Sequence, residues 1–379
     1  MNLSFNEEQE ALRESARSFL AEHSSSANVR KAMETELGYD AALWKRIGTE
    51  LGWPAAVIPE EYGGLGLGPI EMVALMEEMG ASLLCSPFFS SICLASGVLL
   101  AGGTDAQKTD LLPALASAET TAALAHAEKN GRWDAAGVEA VARAEGGDFV
   151  LTGTKTYVLD GASADLLLVA ARREGTTGEE GVSVFVVAAD AAGVERRALP
   201  TVDQTRHQAE IVLRDVRVPS TSLVGGEGEG WPILSSAIDA ALVALAAEQL
   251  GGASRCLDIT VAYAKERVQF GRPIGSFQAI KHKCADMMVL VESARSAVYY
   301  AAAAQAEGDP ELPTLASLAK AYCSDAYFRC AAESIQIHGG VGFTWEYDVH
   351  LYFKRAKSSE TLLGDAQFHR ERIARLIGL

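Results

Sequence analysis

The 379-residue sequence lacks the short motifs that mark several large enzyme classes. The glycine run at residues 63–68 does not complete G-x-G-x-x-G, because Pro69 stands at the final glycine position. There is no P-loop and no G-x-S-x-G, and the seven histidines show no metal-ligand spacing. These absences argue against a Rossmann nicotinamide enzyme, an ATPase, an α/β-hydrolase and a zinc hydrolase. A nucleotide cofactor bound between subunits remains possible.

Basic residues are also scarce, with 33 Lys and Arg against 50 Asp and Glu and a net charge of −17. Nucleic acids and anionic membranes attract proteins through a basic field, so we expect neither partner. No uncharged apolar run reaches the ~18 residues that span a bilayer. Residues 1–10 are polar and acidic, unlike a secretory signal or an Arg-rich transit peptide. We therefore expect a cytoplasmic protein.

The six cysteines form no C-x-x-C pair and lie in apolar helical stretches, which predicts buried free thiols. Hydrophobic residues make up 49% of the chain, enough for a large core, and the length favours two or three domains.

Three regions follow one another along the chain. Residues 1–120 have helical periodicity, with predicted capping pairs Asn6–Gln9 and Thr104–Gln107. Residues 121–228 form short alternating segments separated by turn signals, which predicts an antiparallel β-barrel or sandwich. Residues 229–379 contain long helices, expected near 232–266, 276–307, 312–337 and 368–377, as in a four-helix bundle that packs against other subunits. The predicted fold is therefore a multidomain α+β protein.

Several motifs, in the same order, resemble the acyl-CoA dehydrogenase family. The most specific is YAKERVQFGRPI at residues 263–274, followed by Phe277 and Gln278. The others include IPEEYGG at residues 58–64, GTK at 153–155 and QIHGGVGF at 336–343. Together they extend over nearly the whole chain. The resemblance implies a helical, a β and a second helical domain, with FAD held between the β domain of one subunit and C-terminal domains that include its neighbour's.

The resemblance also implies roles for individual residues in binding FAD. Arg267 and Gln269 would bind the pyrophosphate, and a guanidinium suits that role because it makes paired bonds to phosphate oxygens. The other expected cofactor contacts are Phe270 on the cofactor, Phe277 and Gln278 near the adenine, Gln336, Ile337, Gly339 and Gly340 around the ADP, and Tyr157, Val158 and Leu159 beside the isoalloxazine ring. Simpler interpretations remain open, since Arg267 follows a helix C-terminus, the glycines stop a helix and residues 157–159 alternate like a packed strand.

The sequence departs from the family at the catalytic base. The reaction needs a carboxylate to take the Cα proton of an acyl-CoA thioester. The two positions where family members carry that glutamate hold Leu363 and Ala241, which cannot accept a proton. Nearby positions also differ from the family, with Ala127, Trp133 and Leu159 replacing polar residues. Displaced candidates for the base are Asp239, Glu248, Glu360 and Asp365.

Three functions remain open at this point. The first is FAD-dependent α,β-dehydrogenation of an acyl-CoA by a homo-oligomer, with an electron-transfer flavoprotein as electron acceptor. The second is a non-catalytic, FAD-supporting subunit paired with a Glu-bearing paralogue, as in some bacterial sterol side-chain dehydrogenases. The third is other flavin chemistry, such as an oxygenase or a nitroalkane oxidase.

Overall fold

A computed structural model describes residues 5–379, so the first four residues of the acidic N-terminal segment lie outside the description. The chain divides into two compact units. The first contains residues up to Lys31, Gly68–Leu84 and Leu242–Leu379; the second contains Ala32–Leu67 and Cys85–Ala241.

The N-terminal region is helical, as the sequence predicts. Its α-helices are α1 (Glu7–His23), α2 (Ser26–Met33), α3 (Ala41–Thr49), α4 (Pro69–Ala81), α5 (Gly97–Gly102) and α6 (Asp105–Ala116). A π-helical segment, Phe89–Ser96, leads into α5. Both predicted capping pairs are confirmed: Asn6 with Gln9 starts α1, and Thr104 with Gln107 starts α6. In each, the side chain of one residue bonds the backbone N–H of the other, which satisfies donors that a helix start leaves unpaired.

The middle region forms an eight-stranded sheet. Its strands are β1 (Ala122–Ala125), β2 (Val141–Glu145), β3 (Asp148–Leu159), β4 (Leu166–Arg173), β5 (Val182–Ala188), β6 (Val194–Ala198), β7 (Gln208–Pro219) and β8 (Leu223–Val224). The order is β6-β7-β3-β2-β4-β5-β8, and β1 pairs with β4. Pairing is antiparallel except where β1 and β2 run parallel to β4.

Apolar side chains on β3, β4, β5 and β7 form the core of this sheet. Leu151 pairs with Val216, and Leu167 pairs with Val187; each of these side chains is at most 1% exposed. Alternation along β7 places Ala209, Ile211 and Leu213 in this cluster, because successive strand residues point to opposite faces. The alternation shifts by one residue at Asp215, whose φ is +51°, and continues with Val216 and Val218. β3 has an irregularity between Lys155 and Val158, where its pairing with β7 shifts register.

The C-terminal region contains α7 (Gly230–Glu266), a hairpin of β9 (Val268–Gln269) and β10 (Arg272–Pro273), α8 (Gln278–Glu307), α9 (Leu312–His338), α10 (Val349–Thr361) and α11 (Ala366–Leu376). The three long helices lie where the sequence predicts them. Helix α10 is not predicted, so this region has five helices among the described residues rather than four.

Helix α7 alone, among the described residues, is long and apolar enough to cross a membrane, and 67% of its most apolar window is buried within the protein. That burial is typical of a core helix. All six cysteines are free, and five are buried, which agrees with the prediction of buried thiols; Cys284 is half-buried.

Candidate functional site

The first candidate binding segment is residues 267–278, which we call the hairpin arm. Helix α7 ends as Arg267 N donates to Tyr263 O at 2.8 Å, and Ile274 N donates back to Arg267 O at 2.8 Å. Between them, Gln269 pairs with Arg272 across a two-residue turn. The turn residues Phe270 and Gly271 have φ of +54° and +75°. Positive φ at both positions matches the turn that a tight hairpin requires, but it is strained for a phenylalanine.

The tip of the hairpin arm presents an aromatic ring to solvent. Phe270 is 91% exposed, and its ring meets Phe277 edge-on at 6.2 Å. The Arg272 guanidinium lies 4.1 Å from the centre of the Phe277 ring. Arg267 and Gln269 are also exposed, so their donors are accessible. A strained, exposed aromatic residue beside two arginines suits a surface that contacts a ligand or another chain.

The second segment is residues 336–343, which we call the glycine arm. Helix α9 ends at His338, and Gly339, at φ +65°, caps it by donating to the carbonyls of Gln336 and Ile335. A Cβ added at Gly339 or Gly340 would meet no atom within 4 Å, so the backbone is open to a ligand. Gln336 is exposed, whereas the Ile337 side chain is 7% exposed. Ile337 can therefore serve a cofactor through its backbone only.

An aromatic stack connects the two arms. The rings of Tyr263 and His338 are parallel to within 22° with centres 4.1 Å apart, and the Tyr263 hydroxyl donates to His338 O at 3.4 Å. One turn earlier, the hydroxyl groups of Thr260 and Ser334 are hydrogen-bonded to each other at 2.8 Å. The last turns of α7 and α9, which carry the two arms, are thus held together. His338 itself is not among the contacts predicted from the sequence, although it lies between two of them, Ile337 and Gly339.

The protonation state of His338 follows from its contacts. Nδ1 lies 2.7 Å from Ser334 O, and because a carbonyl only accepts, Nδ1 carries the proton. Burial lowers the pKa of His338, so the ring is neutral at pH 7 and Nε2 bears a lone pair. The stack therefore brings no charge beside the arms, and the cationic groups of the hairpin arm are Arg267 and Arg272.

These residues fit the diphosphate and adenylate of FAD. The hairpin arm offers guanidinium and amide donors for phosphate oxygens, and the glycine arm offers open backbone. Residues 5–379 contain no group of three or more His, Cys, Asp or Glu side chains placed to hold a metal ion.

In the other unit, Tyr157 lies at the irregularity of β3. Its φ is +56°, and its side chain is 46% exposed, whereas Val158 and Leu159 are 1% and 4% exposed. Only Tyr157 of the three presents its side chain at a surface. Leu159 also has no hydrogen-bonding group to offer a flavin.

A buried ion pair supports this strand. Lys155 Nζ donates to Glu128 Oε1 at 2.6 Å, and the two side chains are 0% and 5% exposed. The same oxygen accepts from the backbone N–H groups of Glu139 and Ala140 at 2.8 and 2.9 Å. Glu128 is therefore occupied as a structural acceptor and does not serve as a proton acceptor for a substrate.

Large rings fill the neighbouring positions. His126 is 3% exposed, with ring centres 6.2 Å from Trp133 and 5.8 Å from Trp231. Burial, followed by the charge of Lys155, lowers the pKa of His126 to about 3. Trp133, which replaces a polar residue of the family, thus belongs to an uncharged aromatic cluster.

Both expected base positions are apolar and buried, with Leu363 4% and Ala241 1% exposed. The four displaced candidates are already engaged. Glu248 Oε1 accepts from Arg355 at 2.6 Å, and Glu360 accepts from Lys357 at 2.8 Å. Asp365 is exposed and caps α11 by accepting from Phe368 N at 2.8 Å, and Asp239 is buried and has a partner. None of the four is a free, buried carboxylate.

Comparisons with known proteins agree on one family. Family models for the N-terminal, middle and C-terminal domains of acyl-CoA dehydrogenase match residues 6–119, 123–216 and 228–378. Acyl-CoA dehydrogenase IpdE2 of Mycolicibacterium smegmatis is 36% identical over 98% of both chains. Butyryl-CoA dehydrogenase from Megasphaera elsdenii superposes with a TM-score of 0.93 at 28% identity, covering 100% of both chains. A chain of the ChsE4-ChsE5 complex from Mycobacterium tuberculosis superposes with a TM-score of 0.90 at 29% identity, covering 100% of both chains.

Proposed function

This chain belongs to the acyl-CoA dehydrogenase family, and from that premise we propose that it is the FAD-supporting, base-free subunit of a heteromeric acyl-CoA dehydrogenase. Membership makes it an oxidoreductase of the FAD-dependent type. The finer assignment depends on one observation: no free, buried carboxylate exists at either base position or among the four displaced candidates.

The family reaction converts a saturated acyl thioester into its α,β-unsaturated form. A carboxylate takes the Cα proton, and the Cβ hydrogen leaves with its electron pair as the double bond forms. Bound FAD supplies the hydride acceptor. In our proposal, Arg267 and Gln269 bind the diphosphate, the glycine arm accommodates the adenylate, and a Glu-bearing paralogue supplies the carboxylate. Electrons then pass to an electron-transfer flavoprotein in the cytoplasm.

The comparison with ChsE4-ChsE5 supports a two-chain assembly, because that neighbour is itself a complex of two differently named chains. The hairpin arm supports it as well, since an exposed, strained Phe270 is suited to be covered by a second chain. A homo-oligomer that performs the reaction by itself would need a carboxylate, and the engaged states of Glu248, Glu360 and Asp365 argue against one.

The test is to purify the chain alone and together with a Glu-bearing paralogue, then mix each anaerobically with straight-chain, branched and steroid acyl-CoA thioesters. Bleaching of the flavin absorbance reports reduction. We expect bleaching only in the co-purified assembly. Rapid bleaching in the isolated chain by any of these thioesters would refute the proposal.

A further inference from the structure

Lys320 in α9 is a fully buried lysine whose hydrogen-bond acceptors are all uncharged. Its side chain is 0% exposed, and Nζ donates to Ser324 Oγ at 2.8 Å, Gly364 O at 3.0 Å and Glu360 O at 3.1 Å. An ammonium has three N–H groups, so these three neutral oxygens use all of them. A buried charge without a counterion is costly, which makes its retention informative.

Two of these acceptors lie just before and within the segment that joins α10 to α11, residues 362–365, which we call the base loop. Glu360 precedes the loop, and Gly364 is its next-to-last residue. A third carbonyl, Leu363 O, accepts from His369 Nε2 at 3.1 Å, and His369 is 1% exposed. Buried side chains therefore hold the loop backbone on both sides of residue 363.

The base loop has a conformation that needs such support. Leu363 has φ of +59° and Gly364 has φ of +104°. A leucine in the left-handed region is strained and persists only where its surroundings impose it. The hydrogen bonds from Lys320 and His369 supply that constraint. The backbone at residue 363 is thus held in a special geometry, although its side chain is a leucine.

We propose that Lys320 is a positioning residue that fixes the backbone of the base loop, so the chain retains the geometry for a base at residue 363 without the base itself. This inference rests on the proposed function, because it takes residue 363 as the position from which the paralogue's carboxylate acts. It assigns Lys320 no contact with substrate or cofactor; Lys320 acts through the carbonyls of Glu360 and Gly364.

The charge of Lys320 gives the proposal a specific signature. Burial lowers its pKa from an ordinary 10.5 to about 7. The titratable or charged groups around it are Cys323 and Asp325 on α9, Glu360 on α10, Asp365 before α11, and His369 on α11, where Arg372 also acts on His369. Of these, burial lowers the pKa of His369 to about 3, so that ring stays neutral between pH 5 and 9.

Loss of the Lys320 proton has opposite local and global effects. A neutral amine keeps two N–H groups for the carbonyls of Glu360 and Gly364, and the Ser324 hydroxyl can donate to its lone pair. The bonds to the two carbonyls are then no longer charge-assisted and are about half as strong, so the base loop is held less firmly as pH rises through about 7. Over the same range the unfolded chain binds more protons than the folded chain, so this group makes the free energy of unfolding rise with pH. If Lys320 served only the stability of the core, protection of the base loop and the free energy of unfolding would rise together with pH.

Hydrogen exchange measured by mass spectrometry on the FAD-loaded protein tests this. The amides of Leu362 and Gly364, which donate to Ser358 O and Thr361 O, report on the base loop. We expect their protection, corrected for intrinsic exchange, to fall between pH 6 and 8 in the wild type. In Lys320→Met we expect exchange about tenfold faster with no pH step, the size expected from losing hydrogen bonds to a charged donor.

Ser317→Ala is the matched control, because it removes the 2.9 Å bond from Arg372 between α9 and α11 without touching the base loop. It should leave loop exchange unchanged. If Lys320→Met shows wild-type protection and the same pH dependence, the inference fails while the proposed function stands. His369→Gln provides a second measurement should Lys320→Met fold poorly. It should speed loop exchange, and unchanged protection would again reject the positioning of the loop by side chains.

Discussion

Arg355 donates a hydrogen bond of 2.6 Å to Glu248, and both side chains are only 4% exposed. Glu248 lies on α7 two turns beyond Ala241. Because its carboxylate is paired with Arg355, it has a structural role and is not free to act as a base. A charge left unpaired at such a site is strongly destabilising.

Glu248→Gln should therefore lower the free energy of unfolding by about 3–5 kcal/mol without removing a catalytic base. Urea titration measures the free energy of unfolding, and the rate of flavin bleaching in the two-chain assembly shows whether a catalytic base has been lost. Loss of a general base typically costs about 10²–10⁴-fold in rate, whereas we expect a change within about twofold. Glu50→Gln, in the exposed pair with Arg46, is the control and should cost less than about 1 kcal/mol.

Leu363→Glu should create a proton acceptor in this chain. The base loop already holds residue 363 in its strained conformation, so the new carboxylate would extend from a fixed backbone. We expect the variant to bleach its flavin with whichever acyl-CoA reduces the two-chain assembly. Leu363→Gln has nearly the same shape but no base. Equal rates for the two variants would contradict the assignment of residue 363.

Arg267→Met should weaken FAD binding about 10- to 150-fold, because one charge-assisted hydrogen bond contributes about 1.5–3 kcal/mol. Flavin fluorescence titration of the apoprotein measures the change, which should shrink as salt is added. Arg217→Met removes an exposed arginine paired with Glu145 on the β-sheet and should leave affinity unchanged. If both variants behave alike, the hairpin arm does not bind the diphosphate.

His338→Ala should weaken FAD binding by about 0.5–1.5 kcal/mol, roughly 2- to 12-fold, because the stack between the two arms is lost. His338→Phe keeps a ring at this position and should recover most of the affinity. Tyr263→Phe loses only the 3.4 Å hydrogen bond and should stay within about twofold of wild type. Wild-type affinity in His338→Ala would show that the stack does not hold the arms for the cofactor.

The long helices were predictable because their apolar periodicity continues over many turns. Helix α10 was not, since Val349–Thr361 begins with β-branched and aromatic residues and Asp348 makes no side-chain cap. Strand β1 has only alanine and leucine, which favour helix, and it becomes a strand through parallel pairing with β4. In both cases tertiary contacts override local preference.

The candidate site also has one part that the sequence reveals and another that it does not. The two arms are contiguous in sequence, so a motif can reveal them. Lys320 meets Gly364 across 44 residues, and Tyr263 reaches His338 across 75. Neither pairing leaves a local pattern, because each exists only once helices far apart in sequence have packed together.

The exposed ring of Phe270 has a consequence for the life of the protein in a cell. A chain that has not found its assembly partner displays a large apolar side chain on a strained turn, the kind of surface that chaperones and proteases recognise. The steady-state amount of this chain should therefore follow the supply of whatever covers that ring, so that orphan copies are cleared and the two partners accumulate in step.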